Sequence, residues 1–151
     1  MMIDLESYCF GVDIDGTLTD GINPFATDHV FEEANEIIRW SKPKPGIEIL
    51  KPEMNVVLIT ARLEKYRKNT IEWLAKNKVP YRKLVMIQSY KDDTFNQQEY
   101  LDYKLKSCLE NNVSFMLDDD YTVIQMLNNY GIKSVQVNGN FETAFNKLFE
   151  N

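Results

Sequence analysis

The chain has 151 residues, 44% hydrophobic and 26% charged, with a formal net charge of −6. That length suits one folded domain over residues 1–151 with one core, and the balance is that of an ordinary globular chain. Its acidity argues against a general nucleic-acid binder, for which neutralised phosphates supply most of the affinity. No apolar run approaches the roughly 20 residues that cross a bilayer.

The opening stretch, Met1 to Glu6, has neither the basic start nor the apolar run of a secretory signal, so a cytoplasmic location is expected. Cys9 and Cys108 are far apart in apolar segments and form no CxxC pair, which suits buried, reduced thiols. His29 is the one histidine, so no histidine-rich zinc site can form and any metal must be held by oxygen.

Strand and helix signals alternate along the chain. Tyr8 to Ile14 is a strand-like run ending in Asp13-Ile14-Asp15-Gly16. Residues Thr19 to Pro45 are less regular: Asp20-Gly21 and Asn23-Pro24 mark turns, and Val30, Ala34, Ile37 and Ile38 suggest a short helix that Pro43 and Pro45 end. This segment is too short for a separate cap domain; it reads as a flap or an ordinary crossover. Met54 to Ile59 is a second strand, stopped by Thr60-Ala61-Arg62.

A helix over Glu64 to Asn77 follows, with Tyr66, Thr70, Trp73 and Leu74 at helical spacing. The basic residues Arg62, Lys65, Arg67, Lys68, Lys76, Lys78, Arg82 and Lys83 crowd this stretch; they are a candidate basic patch for nucleic acid, with a solvated helix face as the expected reading. Lys83 to Ile87 is a third strand. Leu101, Leu105, Cys108 and Leu109 then mark a helix. Val113 to Leu117 is a fourth strand, ending in Asp118-Asp119-Asp120. Val123, Ile124, Leu127 and Tyr130 stripe the next helix. Ser134 to Val137 is a fifth strand, and Phe141, Phe145, Leu148 and Phe149 mark a terminal helix.

Short, β-branched strands without clean alternation are those covered on both faces. The expected fold is therefore α/β: an open parallel sheet in a three-layer α/β/α, Rossmann-like arrangement, with a minimal cap or none. In such sheets ligands bind beyond the carboxyl ends of the strands. Asp13, Thr60 and Asp118 all fall at carboxyl ends.

Residues two apart on an extended chain share a face, so Asp13 and Asp15 point together while Ile14 enters the core. Gly16 permits the sharp exit that leaves both carboxylates at the edge. Two carboxylates in one cleft repel unless a cation sits between them or one holds a proton.

The run Asp13-Ile14-Asp15-Gly16-Thr17 resembles the first motif of the haloacid dehalogenase superfamily, DxDGT after an apolar strand. The resemblance implies that Asp13 attacks phosphorus and becomes an aspartyl phosphate. It implies that Asp15 protonates the leaving oxygen and then activates water. The second motif places a threonine at a strand end, matched by Thr60, whose hydroxyl would hold the phosphoryl group together with backbone donors of Ala61 and Arg62. Thr60 also reads as a helix cap, and Arg62 as either a phosphate contact or a surface salt bridge.

The third motif is a lysine. In the family it neutralises the phosphate and steadies the aspartate nucleophile. Lys104 and Lys106 both precede the fourth strand; Lys104 lies at the edge of the buried stripe, and Lys106 projects away from it, so Lys104 is the expected site lysine. The fourth is an acidic pair that holds magnesium, matched by Asp118 and Asp119. The expected Mg²⁺ ligands are Asp13, Asp15, Asp118 and Asp119, and Asp120 is expected to cap the next helix.

Leu117 to Phe141 is similar to the phosphatase domain of bacteriophage polynucleotide kinase, which removes 3′-phosphates from nucleic-acid ends. The acidity of the chain turns the expectation toward a small phosphorylated metabolite, a nucleotide or sugar phosphate, with polynucleotide 3′ ends as the alternative. A non-catalytic phospho-receiver or binding module is the alternative of another class. No membrane partner is expected, and the oligomeric state is not readable from the sequence.

Overall fold

The computed structural model describes residues 4–20 and 31–150. Five strands form one sheet: β1 (Cys9–Val12), β2 (Asn55–Leu63), β3 (Lys83–Ile87), β4 (Phe115–Asp118) and β5 (Lys133–Gln136), in the order β3-β2-β1-β4-β5. Every neighbouring pair is parallel. Among the described residues, five α-helices connect or follow them: α1 (Phe31–Trp40), α2 (Arg67–Lys76), α3 (Gln97–Glu110), α4 (Tyr121–Asn129) and α5 (Phe141–Lys147). The architecture is the expected Rossmann-like α/β one.

Alternation along the strands builds a core on each face of the sheet. Phe10, Val12 and Ile14, with Val56, Leu58 and Leu117, meet α1, α2 and α5 on one side. Cys9, Val57, Ile59, Ala61 and Met116 meet α3 and α4 on the other. Gly11 lies opposite this second layer: a Cβ there would come within 2.7 Å of Met116 Sδ and 3.0 Å of Val113. Both cysteines are buried free thiols in the second layer.

Chain order places the site. From β1 the chain winds outward through β2 to β3, then returns to the far side of β1 as β4. The direction of winding reverses between β1 and β4, and such a switch point leaves a crevice at the carboxyl ends of the strands. Asp13 directly follows β1, and Asp118 ends β4. The backbone N–H of Asp13 donates to the Leu117 carbonyl at 2.9 Å, pinning the two strand tips together.

Some expectations need correction. β2 does not stop before Thr60; it continues to Leu63, with its register against β3 shifting between Ile59 and Leu63. The polar residues Thr60 and Arg62 are tolerated inside a strand because buried partners receive them. A 3₁₀ turn (Glu64–Tyr66) precedes α2, so no helix begins at Thr60 and Thr60 caps none.

The buried face of α3 is rotated from the expected stripe. Tyr100, Lys104, Ser107 and Cys108 face inward, and Leu109 is exposed. Tyr130 is exposed as well, whereas Val123, Ile124 and Leu127 are buried as expected. In α1, Ala34 and Ile38 reach the core. The turn signals at Gly21 and Asn23-Pro24, together with His29 and Val30, lie outside the described residues, and with them part of the proposed flap. Where the chain leaves the site, Thr19 and Pro43 form a single antiparallel bridge. Among the described residues no helix is long and apolar enough to cross a membrane.

Candidate active site

The turn after β1 is tied to one acceptor. The Ile14 carbonyl receives the N–H groups of Thr17, Leu18 and Thr19 at 2.9–3.2 Å. Gly16 sits in this turn with φ +81°, a left-handed conformation open to glycine. A side chain there would also strike Asp119, with its Cβ 2.6 Å from the Asp119 Cγ. Glycine therefore serves twice, for the turn and for the close approach of β4's acidic end.

Lys104 reaches this point from α3 and is wholly buried, at 0% exposure. Its ammonium donates to Asp13 Oδ1 at 2.8 Å, Asp118 Oδ2 at 2.9 Å and the Ile59 carbonyl at 3.1 Å. An ammonium has three protons, and all three are used. One side chain thereby ties the tips of β1 and β4 to the middle of β2. Burial opposes the lysine's charge, but Asp118 and Asp13 outweigh it and hold the pKa well above the usual value. Lys106 is exposed and lies 3.8 Å from Glu110.

One lysine does not neutralise three carboxylates. Asp13, Asp118 and Asp119 each offer an oxygen within 4.8 Å of the others. Burial, then the charge of Asp118, pushes the Asp13 pKa well above the carboxylate range. The same two causes raise Asp119 to about 6. Clustered carboxylates with an excess of negative charge form a hard, all-oxygen donor set, which fits a divalent cation such as Mg²⁺. The Thr17 hydroxyl lies between two of them, 3.3 Å from Asp13 Oδ2 and 3.5 Å from Asp119 Oδ1.

Asp15 stands apart from this trio. Its carboxylate is gripped in bidentate fashion by Arg62, Nε to Oδ2 at 2.9 Å and Nη2 to Oδ1 at 2.7 Å. The remaining Arg62 nitrogen, Nη1, donates to Thr70 Oγ1 at 3.0 Å, and the Thr70 hydroxyl donates to the Tyr66 carbonyl at 2.8 Å. The structure therefore does not bring the Asp15 side chain to the other three carboxylates as a fourth metal ligand. Arg62 is not a surface residue either: it is 1% exposed, and its donors are turned to Asp15 and Thr70 rather than outward.

Thr60 is fully buried, its hydroxyl accepting the Arg62 N–H at 3.1 Å. Ala61 is buried in the core under α3 and α4. Asp120 caps α4, its side chain accepting from the Thr122 N–H at 2.9 Å.

Sequence reasoning missed four residues that hold this arrangement. Tyr103 donates its hydroxyl to the Thr60 carbonyl at 2.6 Å, with the Val85 carbonyl at 3.1 Å, spanning the register break between β2 and β3. Tyr100 bonds Asp120 Oδ2 at 3.1 Å and sets its ring 5.8 Å from Lys104 Nζ. Tyr100 and Lys104 are four residues apart on a helix, the one sequence signal that joined them. Thr17 stands inside the DxDGT run. Thr70 gave no signal beyond its place on the α2 stripe.

Residues 7–141 match the family described as the polynucleotide kinase PNKP phosphatase domain. No curated protein matches the chain. Among solved structures, a chain of the Pnkp1/Rnl/Hen1 complex is similar with a TM-score of 0.59 and 24% identity, over 92% of this chain and 48% of that one. A chain of the Pnkp1/Rnl/Hen1 RNA repair complex is similar at 0.57 and 24%, over 88% and 43%. This chain thus spans about half the length of the structures it matches, and at such identity the likeness speaks for the fold. The family match runs over most of the length: the chain belongs to the polynucleotide kinase PNKP phosphatase domain family and is a phosphatase of the haloacid dehalogenase type.

Proposed function

We propose that the chain removes the terminal phosphate from 3′ ends of polynucleotides, with Asp13 as nucleophile. The observation that carries the chemistry is Lys104 joining Asp13 to Asp118 in a buried cluster at the tips of β1 and β4. The family match turns the substrate from the small metabolite expected of an acidic chain toward a nucleic-acid end.

In the first step a carboxylate oxygen of Asp13 forms a bond to phosphorus as the bond to the 3′ oxygen breaks. Lys104 holds Oδ1, which leaves Oδ2 as the attacking atom. Asp15 gives its proton to the departing alcohol. In the second step Asp15 takes a proton from water, the water oxygen bonds to phosphorus, and the bond to Asp13 breaks. Division into two displacements lowers the barrier of each. Arg62 keeps Asp15 in place throughout, because each carboxylate oxygen that accepts one arginine hydrogen bond retains a second lone pair for the travelling proton.

Asp13, Asp118 and Asp119 are the residues that would hold Mg²⁺. When bound, it would offset their crowding and the negative charge on the phosphoryl oxygens. Thr60 would act through its neighbours, its hydroxyl holding the Arg62 N–H within β2.

The test is a comparison of phosphorylated metabolites with 3′-phosphorylated oligonucleotides, each with and without magnesium. The expected result is metal-dependent release of phosphate with kcat/KM at least tenfold higher on the oligonucleotide. Equal or better turnover of a sugar phosphate or mononucleotide would restore the small-metabolite reading.

A further inference from the structure

Beside the site, at the carboxyl ends of β2 and β3, lies a cleft of about 330 Å³ lined by Leu63, Lys65, Ser89, Tyr90, Asp93 and Phe95. All strands of the sheet run parallel, so this cleft opens on the same edge as Asp13. None of its six residues takes part in the chemistry described above.

Phe95 is 49% exposed, at a place where a large apolar ring gains nothing from water. It is nonetheless held. Its ring centroid lies 5.3 Å from that of Tyr90 and 5.8 Å from that of Tyr100, with interplanar angles of 62° and 46°. These edge and tilted contacts fix the ring while half of its surface stays open. The connection to the reacting atoms is short: Tyr100 lies under Lys104, and Lys104 holds Asp13.

Two further features set this loop apart. Asp92 and Asp93 both have positive φ, 59° and 53°. Two consecutive left-handed residues other than glycine are costly, and such strain gathers at binding sites. Tyr90 is buried, and its hydroxyl has no hydrogen-bond partner among the described residues. Burial raises its pKa to about 12, so the proton stays on. A buried donor left unpaired calls for a ligand or water.

The walls combine an open aromatic ring, one lysine, a serine and a carboxylate. That set matches a nucleobase, which has a π face to stack and polar edges to pair, with a phosphodiester following it. Stacking also suits an acidic chain, since it binds single strands without requiring many neutralised phosphates. We infer that this cleft is a nucleobase subsite, in which a base of the leaving strand stacks on Phe95 while Lys65 meets a phosphodiester. The inference rests on the polynucleotide reading above and names where that strand lies.

The experiment compares two 3′-phosphorylated oligonucleotides, one complete and one whose last two residues lack bases, on the wild type and on Phe95→Ala, Phe95→Leu and Phe95→Trp. Wild type should favour the complete strand in kcat/KM by roughly 5- to 100-fold, the range expected for stacking one base. Phe95→Ala and Phe95→Leu should bring that ratio near one, and Phe95→Trp should restore it. A wild-type ratio near one overturns the subsite and leaves the 3′-phosphatase reading standing. So does a ratio that survives Phe95→Ala. Failure of the wild type to act on either strand, with turnover of small phosphomonoesters, overturns both.

Discussion

Asp119 carries the clearest consequence at the scale of single residues. Its pKa in the fold is about 6, against an ordinary value of 3.8. Between those values the folded chain keeps a proton that the unfolded chain has released. Metal-free stability therefore falls as pH rises through that window, and the loss is complete above it. Asp119→Asn removes the repelling charge. We expect this variant to melt a few degrees above the metal-free wild type at pH 7.5, since about 1 kcal/mol moves Tm by ~2–4 °C in a domain of this size. It should also lose most of the stabilisation that magnesium gives the wild type. Thermal melts at pH 5 and 7.5, with and without magnesium, read both effects; equal stabilisation of variant and wild type by magnesium would remove Asp119 from the metal set. Asp13, Lys104 and Asp118 were legible in the sequence because each sits on a local pattern: a strand tip, the edge of a helical stripe, the end of the next strand. The pairing of Arg62 with Asp15 was not, because it joins residues 47 apart through a strand irregularity. No residue pattern announces such a pair.

At the scale of elements, β2 is the informative one. The run Thr60-Ala61-Arg62, with two polar residues, reads as the end of a strand, yet the strand passes through it. The reason lies on another element. Tyr103 of α3 supplies its hydroxyl to the Thr60 and Val85 carbonyls at the register break, and Asp15 and Thr70 receive the guanidinium of Arg62. The rotated buried face of α3 has the same origin: a helix that carries Lys104 inward must place polar groups where Leu109 was expected. Helix stripes that meet only apolar surface, as in α4 and α5, were read correctly but for the exposed Tyr130 at the end of α4. Tyr103→Phe tests whether the break serves the site. Loss of the donor should cost about 1–3 kcal/mol, the range for a buried carbonyl left unpaired. It should also lower kcat about tenfold without changing the stabilisation by magnesium, because the three carboxylates are untouched. Lower stability in urea unfolding with wild-type kcat would make the tyrosine a brace of the fold alone.

At the scale of the whole molecule, a net charge of −6 has to be squared with a polyanionic substrate. Lys65 is the basic residue that lines the cleft. The strand should therefore neutralise only one or two of its phosphates on binding. For single strands each contributes about −0.7 to the slope of log affinity against log salt. A slope near −1 in kcat/KM on a 3′-phosphorylated oligonucleotide is the expected result; no dependence on salt would argue that the strand does not lie along this edge. The fold class, its parallel sheet and the edge that bears the site were legible from alternation and from acidic residues at strand ends. The substrate was not, because a net charge averages over a surface on which one cleft decides binding. The most direct measurement of the central claim is acid quenching of a single turnover on a 3′-phosphorylated oligonucleotide, followed by peptide mapping. The phosphate is expected on Asp13 and absent in Asp13→Asn, which should keep its fold and lose turnover. Phosphate on another residue, or near-normal turnover by Asp13→Asn, would contradict the account.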